Sequence, residues 1–166
     1  MKKILLFLMV MLMAWSMGAK ADHTTSLSLS DVKTSGCTYN TESHVVTFPS
    51  ESWKAAYWDL SDAMRSYTTA TVTIQPTTIS VRIILRYTPI GASSTTDISA
   101  TIAAGQTTAT LEIPSEGTLE TLRVGNWNYG AGEVTLVSAE LSGLRPEYSL
   151  SMSSMGAGSN TATYIA

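Results

Sequence analysis

The chain has a single cysteine, Cys37, so it can close no internal disulfide and cannot build a thiolate metal centre. It has two histidines, His23 and His44, and no G-x-S-x-G turn, which leaves a Ser–His–Asp triad without support. Neither glycine-rich phosphate motif is present, so nucleotide binding has no basis either. Charged residues make up only 14% and the net charge is −3, which argues against a nucleic-acid partner, since that calls for a basic patch. No window of eleven or more residues beyond the N-terminus keeps a helical period. Cys37 itself reads as a small filler at a strand rather than as a nucleophile.

The chain begins with MKKILLFLMVMLMAWSMGAKAD. Lys2 and Lys3 form a positive n-region, Ile4 to Trp15 an apolar run, and Ala19-Lys20-Ala21 an A-x-A cleavage site. The run is too short to cross a hydrocarbon core of about 30 Å. Residues 1–21 are therefore expected to be a signal peptide, cleaved after Ala21. The mature chain would then be secreted, periplasmic or on the cell surface, with no membrane span. The residues from Asp22 onward suffice for one domain with a real core.

From there the chain is a succession of short β-favouring runs rich in Thr and Ser. In Thr78 to Thr88, Ile79, Val81, Ile83, Leu85 and Tyr87 fall on one face of an extended chain and Ser80, Arg82, Ile84 and Arg86 on the other. This predicts the central strand of a sandwich whose outer face carries two arginines in need of water, a carboxylate or a ligand. Around it, Thr25–Val32 reads as a first strand, and Gly36–Phe48 as a hairpin turning at Asn40–Ser43 and stopped by Pro49. Further strands are expected over 67–75, 97–103, 107–113, 120–126 and 133–141, with a short polar turn or single helical turn around Ala63–Ser66. The last strand changes phase between Leu136 and Ala139, as one bulge would produce. Nine or ten strands spaced by turn signals predict an all-β antiparallel sandwich, a jelly roll over residues 22–143, with 144–166 as an irregular tail or truncated linker.

The aromatics carry the functional signal. Trp53, Tyr57, Trp58, Trp127 and Tyr129 lie near loops or strand ends. A flat ring stacks on the apolar face of a sugar while a neighbouring arginine or asparagine bonds its hydroxyls. The candidate ligand-binding residues are Trp127, Tyr129, Asn126, Asn128, Arg82, Arg86, Trp53 and Tyr57, with Arg123 joining the arginines if its strand is their neighbour. Against this, Trp58 reads as a core or rim-sealing ring, and the arginines could simply pair with Glu112 or Glu140. Asp59, Asp62 and Asp97 could serve a structural calcium in the turns. Nothing points to a catalytic acid pair, so no enzyme is expected.

The segment Tyr57–Gly143 resembles the galactose-binding-like jelly-roll modules found N-terminal to secreted polysaccharide-degrading enzymes of Bacteroidetes. The resemblance lies in WDLSDAMRSYTTATVTI, then ISVRIILRYT, then TLRVGNWNYGAGEVTLVSAEL. It implies a non-catalytic, monomeric carbohydrate-binding module, which often carries a structural calcium and recognises plant cell-wall polysaccharide. Met152 to Gly158, MSSMGAG, is similar to the run-in of a family 5 cellulase domain, which would make the chain the leading module of a multidomain glycoside hydrolase. The alternative is a secreted structural or adhesive module that contacts protein through a strand edge or a broad apolar patch.

Overall fold

The computed structural model describes residues 23–127 and 130–145. Residues 1–22 (which include the expected signal peptide), Asn128, Tyr129 and everything after Arg145 lie outside the described residues. Eleven strands are present among them: β1 (Thr24–Ser26), β2 (Lys33–Ser35), β3 (Thr38–Asn40), β4 (Val45–Phe48), β5 (Ala55–Asp59), β6 (Tyr67–Ile74), β7 (Val81–Thr88), β8 (Thr96–Ile102), β9 (Thr108–Glu112), β10 (Thr118–Gly125) and β11 (Gly132–Leu144). Short 3-10 turns fill Leu29–Asp31 and Asp62–Ser66.

One sheet runs β3-β4-β11-β6-β9, with β1 alongside the C-terminal half of β11; the other runs β2-β5-β10-β7-β8. All pairings are antiparallel. The two inner faces interdigitate into one core. Val46, Phe48, Val72, Ile74, Leu136 and Leu141 come from the first sheet; Trp58, Val81, Ile83, Leu85, Leu122 and Val124 from the second. This is the antiparallel β-sandwich that alternation along the strands predicts.

Three features differ from the sequence reading. The Thr25–Val32 run is not one strand, because Leu27 goes to the core and the Ser28 side chain caps the 3-10 turn after it, accepting from Ser30 N. A serine that can bond its own backbone two residues on competes with strand pairing. The strand read as central, β7, is interior but one place off the middle, which belongs to β10. Strand β11 runs on to Leu144, and Arg145 N still donates to Ser66 O, so regular structure continues past the expected boundary at 143. The phase change in β11 is indeed a register shift between Leu136 and Ser138 against β6.

Two glycines matter for the architecture. Gly117 enters β10 at φ +93°, and a Cβ there would stand 2.5 Å from the Thr88 carbonyl, so only glycine allows this close turn. Gly125 ends β10, where a Cβ would stand 2.9 Å from Lys54 O and 3.4 Å from the Trp127 ring. Its bare backbone lets that ring lie against the sheet.

Candidate functional site

The two outer faces of the sandwich differ in chemistry. On the six-stranded sheet the outward side chains are Thr69, Thr71 and Thr73, opposite Ser142, Glu140 and Ser138 on one side and Glu112, Thr110 and Thr108 on the other. They bond one another, Thr71 with Thr110 at 2.9 Å and Thr69 with Ser142 at 2.9 Å. No aromatic ring interrupts this row.

The outward face of the five-stranded sheet is different. Because Val81, Ile83 and Leu85 fill the core, Arg82, Ile84 and Arg86 point away from it. The register places them in three rows. Ser35, Ala55, Gly125, Arg82 and Thr101 share the first; Lys33, Tyr57, Arg123, Ile84 and Ser99 the second; Asp59, Thr121, Arg86 and Asp97 the third. From first row to third is four residues, about 13 Å at the usual strand rise. Ile84 is on this face yet has no exposure, so its larger neighbours roof it.

Trp53 and Trp127 stand at the first-row end. Their ring centroids are 4.2 Å apart with planes inclined by 55°, and Trp53 is 62% exposed. The Arg82 guanidinium lies 5.9 Å from the Trp127 ring centroid, and the Arg123 guanidinium 5.6 Å from that of Tyr57. A tryptophan pair, an arginine, and a tyrosine–arginine pair thus succeed one another along the face. Both tryptophans sit in the left-handed region, Trp53 at φ +68° and Trp127 at φ +29°. Bulky residues there cost about 1–3 kcal/mol each, and such strain clusters at functional sites. Among the described residues only His44, at φ +57°, is a third non-glycine example.

Asn126 explains how the tryptophans are held. It is fully buried. Its Nδ2 donates to Pro49 O at 3.0 Å, Glu51 O at 2.7 Å and Gly130 O at 3.2 Å, and its Oδ1 accepts from Lys54 N at 3.2 Å. The expected role as a ligand contact is therefore corrected: the amide is spent inside the protein, clamping the loop that carries Trp53 to the loop that carries Trp127. Asn128 and Tyr129 lie outside the described residues.

The ionic groups divide into paired and unpaired. Arg86 makes a two-pronged bond to Asp97, Nε to Oδ1 at 2.7 Å and Nη2 to Oδ2 at 2.8 Å. That hydrogen bonding holds the Asp97 carboxyl below the ordinary aspartate range against the opposing effect of burial, and the charges of Arg86, Arg123 and Arg82 add to it. Lys33 is ion-paired with Asp59. Arg123 donates from Nε to Thr121 Oγ1 at 2.8 Å and, among the described residues, has no ion-pair partner; burial, then the neighbouring Arg86, lower its pKa from the arginine norm. Arg82 has no ion-pair partner among the described residues either, and its buried Nε bonds to nothing.

Other sequence expectations resolve differently. Glu112 and Glu140 lie on the opposite sheet, so neither can pair with the arginines. Tyr57 stands in mid-strand on the outward face rather than at a loop. Trp58 is a core ring, its Nε1 donating to Ser28 O at 2.9 Å. The three aspartates considered for calcium are separately occupied: Asp59 by Lys33, Asp97 by Arg86, and Asp62 Oδ1 by Leu119 N at 3.1 Å. Among the described residues no three His, Cys, Asp or Glu side chains gather as a metal site. No helix there is long and apolar enough to cross a membrane. Sequence reasoning placed no weight on Lys33, Thr121, Ser99 or Thr101, because only the register shows that they share this face.

A hollow of about 630 Å³ opens elsewhere, lined by Thr68, Tyr87, Ile98, Glu112, Pro114 and Arg145 among others. Its cation is committed, since Arg145 donates to Arg65 O at 3.0 Å and also to Ile113 O. It adjoins neither tryptophan.

No protein-family model matches the chain, and no curated protein is similar to it in sequence. Solved structures do match. The low-affinity xylan-binding module CBM86 from the gut symbiont Roseburia intestinalis superposes with a TM-score of 0.57 at 14% identity, over 74% of this chain and 96% of that one. The family 11 carbohydrate-binding module of Clostridium thermocellum, in complex with a β-1,3-1,4-mixed-linked tetrasaccharide, gives 0.47 at 12% identity, over 77% and 92%. The xylan-binding module CBM15 gives 0.45 at 14%, over 74% and 97%. At such identities the first likeness establishes a shared fold: the chain has the same antiparallel β-sandwich, a jelly roll, as CBM86.

Proposed function

We propose that the protein is a secreted, non-catalytic carbohydrate-binding module that takes a plant cell-wall polysaccharide along the outer face of the β2-β5-β10-β7-β8 sheet. The observation that carries this reading is the pair of tryptophans held in strained backbone at one end of that face by the buried Asn126 clamp. Strain of this kind is retained where it presents a side chain for use. Trp53 and Trp127 stack on a pyranose ring, Tyr57 extends the platform, and Arg82 and Arg86 fix orientation by hydrogen bonds to hydroxyls. Such a site is shallow and stays wet, so affinity per site is weak.

A catalytic reading lacks its chemistry. Asp59 and Asp97 are on this face but on strands three places apart, about 14 Å at the usual strand spacing. A glycosidase pair stands about 5–9.5 Å apart, and here each acid is already bound to a cation. An adhesive module would present a broad apolar patch. Among the described residues the exposed large apolar side chains instead lie on three segments: Trp53 before β5, Ile90 after β7, and Val137 and Leu144 seven residues apart on β11. On this reading the protein works as a monomer without nucleic acid, and as the leading module of a glycoside hydrolase.

Native affinity electrophoresis of the purified protein through gels containing xylan, mixed-linkage glucan, mannan or a soluble cellulose derivative tests the proposal. Retardation by at least one polymer, abolished in Trp127→Ala, is the expected result. Free migration through every gel overturns it.

A further inference from the structure

The charge on this face exceeds what a neutral sugar requires. Four cations, Lys33, Arg82, Arg86 and Arg123, share the face. Asp59 and Asp97 occupy Lys33 and Arg86. Glu120, at the irregularity in β10, accepts from Thr88 Oγ1 at 2.7 Å and acts on Arg86 and Arg123 only through its field. Two guanidinium groups are therefore left without an ion-pair partner among the described residues, in a chain whose net charge is −3. They belong to Arg82 and Arg123, which stand diagonally across the β7–β10 ladder, about 7–8 Å apart at the backbone.

Their surroundings make the surplus costly. Burial already lowers the Arg123 pKa, and Arg86 adds like-charge repulsion. Among the described residues the Arg82 Nε is buried without an acceptor, an uncompensated loss of hydration. Each of the two planes stands against an aromatic ring, Trp127 or Tyr57. That contact uses the face of a guanidinium, and with Arg123 Nε donating to Thr121 Oγ1 and Arg82 Nε buried, the paired Nη groups remain to offer a carboxylate two parallel bonds. Hydroxyl recognition needs no such charge, whereas an anion would neutralise it.

We propose that Arg82 and Arg123 form a subsite for an acidic sugar, so that the glycan taken by this face carries a uronic acid carboxylate between the Trp127 and Tyr57 rings. This rests on the carbohydrate-binding reading above and names the class of polymer within it. A sulfate ester offers the same anion on a tetrahedral centre, and the test separates the two.

The experiment is isothermal titration of the full protein with glucuronoxylan, with the same polymer after chemical reduction of its carboxyls, and with a sulfated xylan. Binding to the acidic polymer at least ten-fold tighter than to the reduced one is expected. Arg82→Gln and Arg123→Gln should erase that preference, bringing the affinities for the acidic and the reduced polymer together. Arg65→Gln, which removes a cation outside this face, should leave the preference intact. Melting temperatures near that of the parent exclude misfolding of the variants. Equal binding of acidic and reduced polymers overturns the acidic subsite and leaves carbohydrate binding standing. A preference lost equally in Arg65→Gln overturns it as unspecific charge attraction. Binding of the sulfated polymer alone overturns the uronate assignment. Binding of no polymer at all removes the carbohydrate-binding reading itself.

Discussion

The side-chain amide of Asn126 donates to the carbonyl of Glu51 at 2.7 Å, joining the end of β10 to the loop that precedes β5. Trp53 is two residues beyond Glu51 and Trp127 is directly beyond Asn126, so this one bond fixes the approach of the two rings. Three further bonds from the same side chain complete the clamp. Removing the amide leaves the part-buried carbonyl sites at Pro49 and Glu51 without their donor. Asn126→Ala should therefore lose about 2–3 kcal/mol of stability, read as the shift in urea midpoint at constant slope. It should also weaken glycan binding although Asn126 touches no ligand. Unchanged stability would show that the clamp does not hold the loops.

Trp53 gives the converse behaviour. Its ring is largely exposed and its backbone stands at φ +68°. Replacing it by glycine removes the left-handed penalty and little buried surface, so Trp53→Gly should leave the melting temperature equal or slightly raised. Polysaccharide retardation in affinity gels should nevertheless fall markedly, because half of the tryptophan pair is gone. Loss of stability together with binding would identify Trp53 as a packing residue.

The strands are legible in the sequence wherever one face is buried and the other wet. Period-two alternation in Val81–Arg86 places both arginines outward, and the break in alternation between Leu136 and Ala139 marks the irregularity in β11. Alternation misleads where local polar chemistry overrides it, as at Ser28, whose side chain takes up a backbone N–H and turns SLSLSDV away from a single strand. The site is legible as residue types and not as roles. Asn126 beside a tryptophan looks like a ligand contact until its burial is known. Arg86 and Asp97 sit on adjacent strands, and only register makes them opposite. Glu112 and Glu140 look equally available to the arginines because sequence carries no record of which sheet a strand joins.

Trp58 separates core from site among the aromatics. It is 2% exposed, packs between the sheets and bonds Ser28 O through Nε1. Trp58→Ala should cost about 3–5 kcal/mol through the cavity it leaves. Trp58→Phe should cost less, chiefly through the lost bond and the smaller ring. Chemical denaturation of both variants checks this ordering, and binding to polysaccharide by the folded fraction of Trp58→Phe should match the parent.

Asp97 links stability, pH and ligand choice. Its carboxyl is held below the ordinary aspartate range by Arg86, so its folded pKa lies under its unfolded one. A depressed carboxylate contributes stability that is fully present above the unfolded value, about 3.9, and is lost as pH falls through the folded value. The pair is about a quarter exposed, 26% for Arg86 and 29% for Asp97, so its contribution is at the surface-pair scale, about 0.5–1 kcal/mol. Asp97→Asn should accordingly be less stable than the parent by that amount at pH 7. The gap should narrow between pH 7 and an acid pH at which the folded Asp97 carboxyl is protonated, where both side chains are neutral. Urea titrations of the two proteins at both pH values measure it, and a gap that persists in acid would mean that the loss at pH 7 came from packing. The same substitution frees the Arg86 guanidinium beside Arg123, adding a third unpaired cation to the face. If an acidic sugar is what the other two await, Asp97→Asn should bind a uronate-bearing polymer more tightly at pH 7 while its affinity for the carboxyl-reduced form stays where it was.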